Sequence, residues 1–396
     1  RRQDPALEEA ARSMGYGPLA TFRQVTLPLL RPALAAGALL AALYALSDFG
    51  AVSLLRYETF TAAVFVQYEG AFDRAVAASL ALALAGLAVV LLAAEDYSRG
   101  RQAYHRSTAG AVRPGRVVEL GNWRWPAFTL VMLPVIAGLL IPLSVICYWL
   151  AQGLARGTEF APVLGPARNS VYVSVLAALV TVAAAAPVAA LVVRHRNLLS
   201  RTVERVTYIG FGLPGIAVAL SLVFFAVNVA RPLYQTVALL TFAYLVLFLP
   251  AAVGALKASL LQVSPRVEEA AMALGRTPAR VLLTVTLPLV LPGALSGGAM
   301  VFLLTMKELP ATLILGPIGF NTLATSVWSS ASEGLFSRAA WPALLLVIAA
   351  GAPTAFLLLR GQAYGDASRR GAPAPGQPGA VPRAAFPPGR PKPETD

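Results

Sequence analysis

Two polar stretches interrupt an apolar chain, and they are copies of one another. The stretch from Pro5 to Pro32 returns 260 residues later as Pro265 to Pro292, with thirteen of 28 positions identical. Pro5, Glu8, Glu9, Ala10, Ala11, Gly15, Pro18, Val25, Thr26, Leu27, Pro28, Leu29 and Pro32 all recur. At the heart of each copy stand Glu9-Ala10-Ala11 with Gly15, and Glu269-Ala270-Ala271 with Gly275. A polar segment kept twice reads as one docking device used at two equivalent places. No catalytic or metal-ligating cluster accompanies it. The two histidines, His105 and His195, leave too few ligands for haem or a structural zinc, and the single Cys147 excludes a disulfide framework.

The local sequence sets out the device. Asp4-Pro5 and Ser264-Pro265 are helix starts, because Asp or Ser can accept from an orphan N–H and proline loses nothing at the first helical position. Gly15 and Gly275 mark the stop, in the left-handed geometry glycine tolerates. Gly17-Pro18 and Thr277-Pro278 then start a second short helix. Leu7, Ala10, Ala11 and Met14 share a face at i, i+3, i+4, i+7, as do Val267, Ala270, Ala271 and Leu274. Alanines in mid-face allow close approach and the glutamates border it, which suits a helix seated in a partner's groove. A helix packed on its own spans satisfies the same periodicity.

The rest of the chain places this device at a membrane. Hydrophobic residues make up 57% and charged ones 13%, against about 25% charged in soluble domains, and the mean hydropathy is +0.67. Apolar runs near 33–49, 76–94, 126–150, 170–193, 206–229, 235–256, 287–306 and 339–360 give about eight candidate spans, since a helix crosses a bilayer with roughly 20 residues. The net charge of +13 is not spread as a nucleic-acid footprint. It clusters in alternate loops: Arg99 to Arg124, Arg194 to Arg205, and Lys257 to Arg280, while the opposite loops hold little beyond Arg156, Arg168, Arg231 and Arg338. The positive-inside rule puts the basic loops, both repeat copies and both termini in the cytoplasm.

The repeat runs on past the polar segment. Asp48 falls on Glu308, Leu54 and Leu55 on Ile314 and Leu315, and Phe60 on Phe320. After a slip of four, Glu69-Gly70 lines up with Glu333-Gly334. Both copies lie on one side, so the expected architecture is an all-α polytopic membrane protein of two parallel repeats about an axis along the membrane normal. Four spans of its own half precede the second Glu-Ala-Ala and eight residues the first, so the N-terminal part of the first repeat is expected to be missing. The division expected is 1–95 for the end of the first repeat, 96–125 for a basic cytoplasmic linker, 126–360 for a six-span second repeat and 361–396 for a disordered Pro/Gly-rich tail. Lys307 and Glu308 close a span, and charges at that depth face protein or water. Asp48, Lys307 and Glu308 are the candidate pathway residues. An ion pair or turn at the outer interface is the plainer reading of them.

Glu-Ala-Ala, three residues, Gly, nine residues, Val, one residue, Leu-Pro resembles the EAA loop of ABC importer permeases, and it stands here in full twice. The run Lys307-Glu308-Leu309-Pro310-Ala311-Thr312-Leu313-Ile314-Leu315, with Gly319 to Ala324, Trp328, Ala331 to Gly334 and Gly212-Leu213-Pro214-Gly215, is similar to the fused ferric-iron permeases of that class. Gly316 departs from the family, which has a basic residue there; Arg56 takes the matching place in the first half. The resemblance implies coupling through Glu9, Ala10, Ala11, Gly15, Glu269, Ala270, Ala271 and Gly275 to a dimer of a separate cytoplasmic ABC ATPase. It also implies a periplasmic or lipid-anchored substrate-binding protein and residence in the bacterial inner membrane among its lipids. Thiamine, phosphonate and polyamine permeases share the loop. A secondary transporter or channel is the alternative from another class. Nothing matches a P-loop, so the reading is a transport subunit rather than an enzyme, with no cofactor and no nucleic acid.

Overall fold

Helices and the turns between them make up everything described in the computed structural model, which covers residues 5–70, 73–99, 121–158, 163–195, 197–351 and 353. The first copy opens with α1 (Pro5–Ser13) and α2 (Pro18–Thr21). It passes through a π-helical turn (Phe22–Thr26) into α3 (Leu27–Ser47), then α4 (Gly50–Leu54), α5 (Phe60–Phe65) and α6 (Arg74–Arg99). There follow α7 (Arg124–Val135), α8 (Ile141–Ala155), α9 (Leu164–Arg194), α10 (Leu198–Gly212), α11 (Gly215–Asn228) and α12 (Val237–Leu260). The second copy then repeats the opening order: α13 (Pro265–Ala273), α14 (Pro278–Val281), a π turn (Leu282–Thr286), α15 (Leu287–Met306), α16 (Pro310–Leu315), α17 (Leu323–Ser332) and α18 (Phe336–Gly351).

The π turns have a local cause. Three of the four among the described residues end two residues before a proline: Thr26 before Pro28, Thr286 before Pro288, and Leu140 before Pro142; the fourth, Val66–Gly70, has none at that place. Proline has no N–H to give and its ring crowds the carbonyl four residues back. The helix widens in response. Leu27 N–H reaches Phe22 O, Leu287 N–H reaches Leu282 O and Ile141 N–H reaches Ile136 O, each five residues back.

Among the described residues five helices are long and apolar enough to cross a membrane, or up to seven if each of two bent pairs counts as one span, and α18 is apolar but shorter. The expected run 206–229 is one of the bent pairs. Gly212-Leu213-Pro214-Gly215 turns α10 into α11 through 104°. Side chains crowd both glycines at this corner: a Cβ on Gly212 would lie 2.4 Å from Leu92 Cδ1, and one on Gly215 would lie 2.5 Å from Glu308 Oε1, so either substitution makes that side chain shift.

The core is the bundle of α9, α12 and α15. α12 is its most enclosed member, with Leu240, Ala243, Tyr244, Ala252 and Val253 fully buried. Close approach depends on Gly293 and Gly297 of α15, a small-xxx-small pair of the kind that draws membrane helices together. A Cβ on Gly293 would sit 2.3 Å from Ser259 Cβ, and one on Gly297 3.2 Å from Ala255 Cβ. Leucine at either site must push α15 off α12, an overpacking cost of about 1–3 kcal/mol or more. Gly293→Leu is expected to lose more folded protein than Gly297→Leu in a detergent heat-challenge assay, because its clash is the deeper one.

The repeat register differs from the expected one in the loop after α4 and α16. Thr59 and Thr322 cap α5 and α17 alike, each hydroxyl accepting at 3.3 Å from an N–H three residues on. Arg56 (φ 53°) then matches Gly319 (φ 76°), both left-handed, so three of the four residues of the slip already fall before residue 56. Phe60, inside a helix, and Phe320, in a loop, are therefore not equivalents. Gly316 is no counterpart of Arg56 either. It is glycine because a Cβ would meet Thr312 O at 2.6 Å. Residues Arg1–Gly351 group as one unit and Ala352–Asp396 as another. Most of the basic linker (101–120) and the tail from 361 lie outside the described residues.

Candidate functional site

The two polar segments fold to the same local geometry. α1 and α13 each run nine residues from their proline and end at a left-handed glycine, Gly15 at φ 88° and Gly275 at φ 81°. The stop is therefore of the expected kind. The expected side-chain cap at the start is not made by Ser264, whose backbone carbonyl instead accepts from Val267 N–H at 3.1 Å. Asp4 lies outside the described residues.

Burial divides the face that the periodicity grouped together. Ala11 (2% exposed) and Ala271 (9%) turn inward, while Ala10, Ala270, Met14 and Leu274 face out. The side chain of Leu7 is not described. The glutamates divide as well. Glu9 and Glu269 are exposed and have no hydrogen-bond or ion-pair partner among the described residues. Glu8 Oε1 accepts from Thr26 Oγ1 at 2.8 Å, and Glu268 Oε1 accepts from Thr286 Oγ1 at 2.8 Å. Glu268 Oε1 also accepts from Arg194 Nη2 at 2.7 Å. That ion pair ties the end of α9 to α13, and a separate one, Lys257–Glu204, ties α12 to α10. Sequence reading passed over Thr26 and Thr286 as members of the site, although both stood among the thirteen identities.

The second candidate group lies where the halves meet. Asp48 caps the C-terminal end of α3 and Lys307 that of α15. Lys307 Nζ donates to Tyr44 Oη at 3.1 Å and sits 5.0 Å from the centre of that ring, so its partner comes from the opposite half and is not a carboxylate. Glu308 is half-buried; its Oε1 accepts from Ala311 N–H at 3.4 Å at the head of α16 and lies against the corner at Gly215. Glu308 O accepts from Thr312 Oγ1 at 2.6 Å, and that hydroxyl also meets Tyr244 Oη at 2.6 Å. Asp48 is half-buried too, and among the described residues its carboxylate has no hydrogen-bond or ion-pair partner. Its backbone carbonyl accepts from Thr61 Oγ1 at 2.7 Å. Around this group the halves are joined by Trp328 Nε1 donating to Ser53 Oγ at 3.0 Å, and by Phe49, Phe65 and Trp328 packed with centroids 4.9–6.0 Å apart. Among the described residues no three His, Cys, Asp or Glu side chains gather to hold a metal.

A polytopic helical bundle, duplicated, with one solvent-facing loop device per half and acidic residues where the halves meet, has the build of a membrane transport permease. Comparison with known proteins makes this specific. The family model described as binding-protein-dependent transport system inner membrane component matches residues 1–102 and 180–364. The chain belongs to that family, as a multi-pass inner-membrane permease of the ABC importer class. Fe(3+)-transport system permease protein FbpB 2 of Haemophilus influenzae is 38% identical over 361 residues, which are 90% of this chain and 71% of that protein. The probable ABC transporter permease protein y4fN of Sinorhizobium fredii is 27% identical over 356 residues, 83% of this chain and 62% of that one, so the chain spans less than two thirds of this second relative. Among solved structures, a chain of the inward-facing MetNI methionine ABC transporter is similar over 51% of this chain and 95% of its own, with TM-score 0.42 and 19% identity.

Proposed function

We propose that this chain is the permease subunit of an ATP-driven importer of ferric iron. Residues 1–95 form the end of one permease repeat and 126–360 the other. The two loops seat α1 and α13 on a separate cytoplasmic ATPase dimer, through Glu9, Ala10, Gly15 and their partners Glu269, Ala270, Gly275, with Ala11 and Ala271 anchoring each helix from beneath. A periplasmic or lipid-anchored binding protein delivers the cargo at the other face. The observation that carries this reading is the 38% identity, along 90% of the chain, to a permease named for Fe(3+) transport. The chemistry of the meeting point supports it. Asp48 and Glu308 supply hard oxygen donors of the kind that hard cations take, and one of them has no partner of its own.

Cells lacking their own ferric permease, given this protein with its ATPase and binding protein, are expected to accumulate radiolabelled ferric iron only while ATP is available. Uptake that survives ATP depletion and follows an ion gradient points to a secondary transporter and overturns the reading. A growth defect relieved by thiamine, a phosphonate or a polyamine, with iron without effect, moves the cargo to that class and leaves the coupling intact.

A further inference from the structure

We propose that Glu8 and Glu268 are positioning residues that clasp each short helix to the span following it, leaving Glu9 and Glu269 as the carboxylates presented to the partner. This rests on the coupling reading above and concerns how a push on α1 or α13 reaches α3 or α15. Between the short helix and the span the chain has a soft joint. Gly15 and Gly275 are left-handed with nothing within 4 Å of where a Cβ would stand, and the turn is closed by its own backbone hydrogen bonds, Tyr16 N–H to Ala11 O at 3.2 Å and Arg276 N–H to Ala271 O at 3.3 Å. Left to that joint, a displaced helix would swivel without moving the span.

The clasp bypasses the joint. Glu8 and Thr26 are 18 residues apart, as are Glu268 and Thr286, and both bonds measure 2.8 Å. Each threonine is the last residue of a π turn, directly ahead of α3 or α15. The bond therefore joins the first turn of the short helix to the root of the span, across the glycine. Burial of Ala11 and Ala271 beneath the same helices gives a second contact. The two copies differ at 15 of their 28 positions yet hold the same bond, so the chain itself provides a replicate. A hydroxyl bonded to a carboxylate is among the stronger hydrogen bonds, and π turns recur at functional sites. In the second copy Arg194 adds a further tie from α9 to the same oxygen.

The test replaces Thr26 and Thr286 together by valine, which keeps the shape and removes the hydroxyl, in the transporter assembled with its ATPase. The ATPase is expected to co-purify at the normal ratio and to hydrolyse ATP within about twofold of normal, while iron taken up per ATP falls about tenfold, the scale of one charge-assisted bond. Serine at both positions should restore it. Unchanged uptake per ATP overturns the proposal, and so does a loss of uptake that merely tracks loss of bound ATPase. If the valine protein is absent from membranes, Glu8→Gln against Glu8→Leu decides. Glutamine keeps an acceptor for Thr26 and should transport, leucine should not, and equal behaviour overturns the clasp. Glu9→Arg with Glu269→Arg serves as the separate control. A normal ATPase complex and normal transport there mean that the docking reading has failed, whatever the threonines show.

Discussion

Proline at Gly15 and Gly275 together is expected to abolish ATP-driven uptake while the protein remains in the membrane at its normal level. Proline is confined to φ near −65°, and these residues stand at 88° and 81°. It also deletes the N–H that closes each helix, from Gly15 to Arg12 O at 3.0 Å and from Gly275 to Met272 O at 2.9 Å. The turn must open, at a cost of about 3 kcal/mol per site, and the Glu8 and Glu268 clasps cannot both survive the new path. The spans escape the damage because α3 and α15 begin twelve residues later, beyond the π turns. Alanine at the same positions is the graded control. It meets no neighbour and bears only the left-handed strain, about 1–2 kcal/mol, so uptake should fall without vanishing. Normal uptake and normal ATPase association in the double proline protein would sink the coupling assignment of both loops.

Much of this was legible in the sequence because its signals are local and repeated. The glycine stops, the proline starts and the paired copies need only neighbouring residues to be read. The apolar runs marked the spans, since length and composition alone decide whether a helix can cross. Three features were not legible, for a shared reason: each depends on residues far apart in the chain. The bend at Gly212-Leu213-Pro214-Gly215 hides inside one apolar run, and the side chains that crowd its glycines, Leu92 and Glu308, come from distant parts of the chain. Tyr44 carries no mark that it will receive Lys307 from 263 residues away. Glu8 and Glu9 are adjacent and chemically identical, yet a helix turns neighbours about 100° apart, so one meets Thr26 and the other meets solvent. The register slip before Arg56 was missed because Phe60 and Phe320 matched by residue type while the capping threonines matched by conformation.

Those distant contacts also bear on the paired acids. A structural ion pair between Lys307 and a carboxylate would have made Asp48 and Glu308 scaffolding. Lys307 instead lies on Tyr44, which leaves both carboxylates without a salt-bridge partner among the described residues. Asp48→Asn and Glu308→Gln keep size and keep an acceptor oxygen, so the bond from Ala311 N–H and the packing at Gly215 can persist. Each single change is expected to lower iron uptake moderately. Together they should lower it about tenfold or more, beyond the product of the singles, because residues sharing one site couple by about 0.5–3 kcal/mol. Protein level in the membrane should not change, since neither substitution strands a charge. Loss of the protein itself would return both residues to a structural role. Normal uptake at normal level would remove them from the pathway.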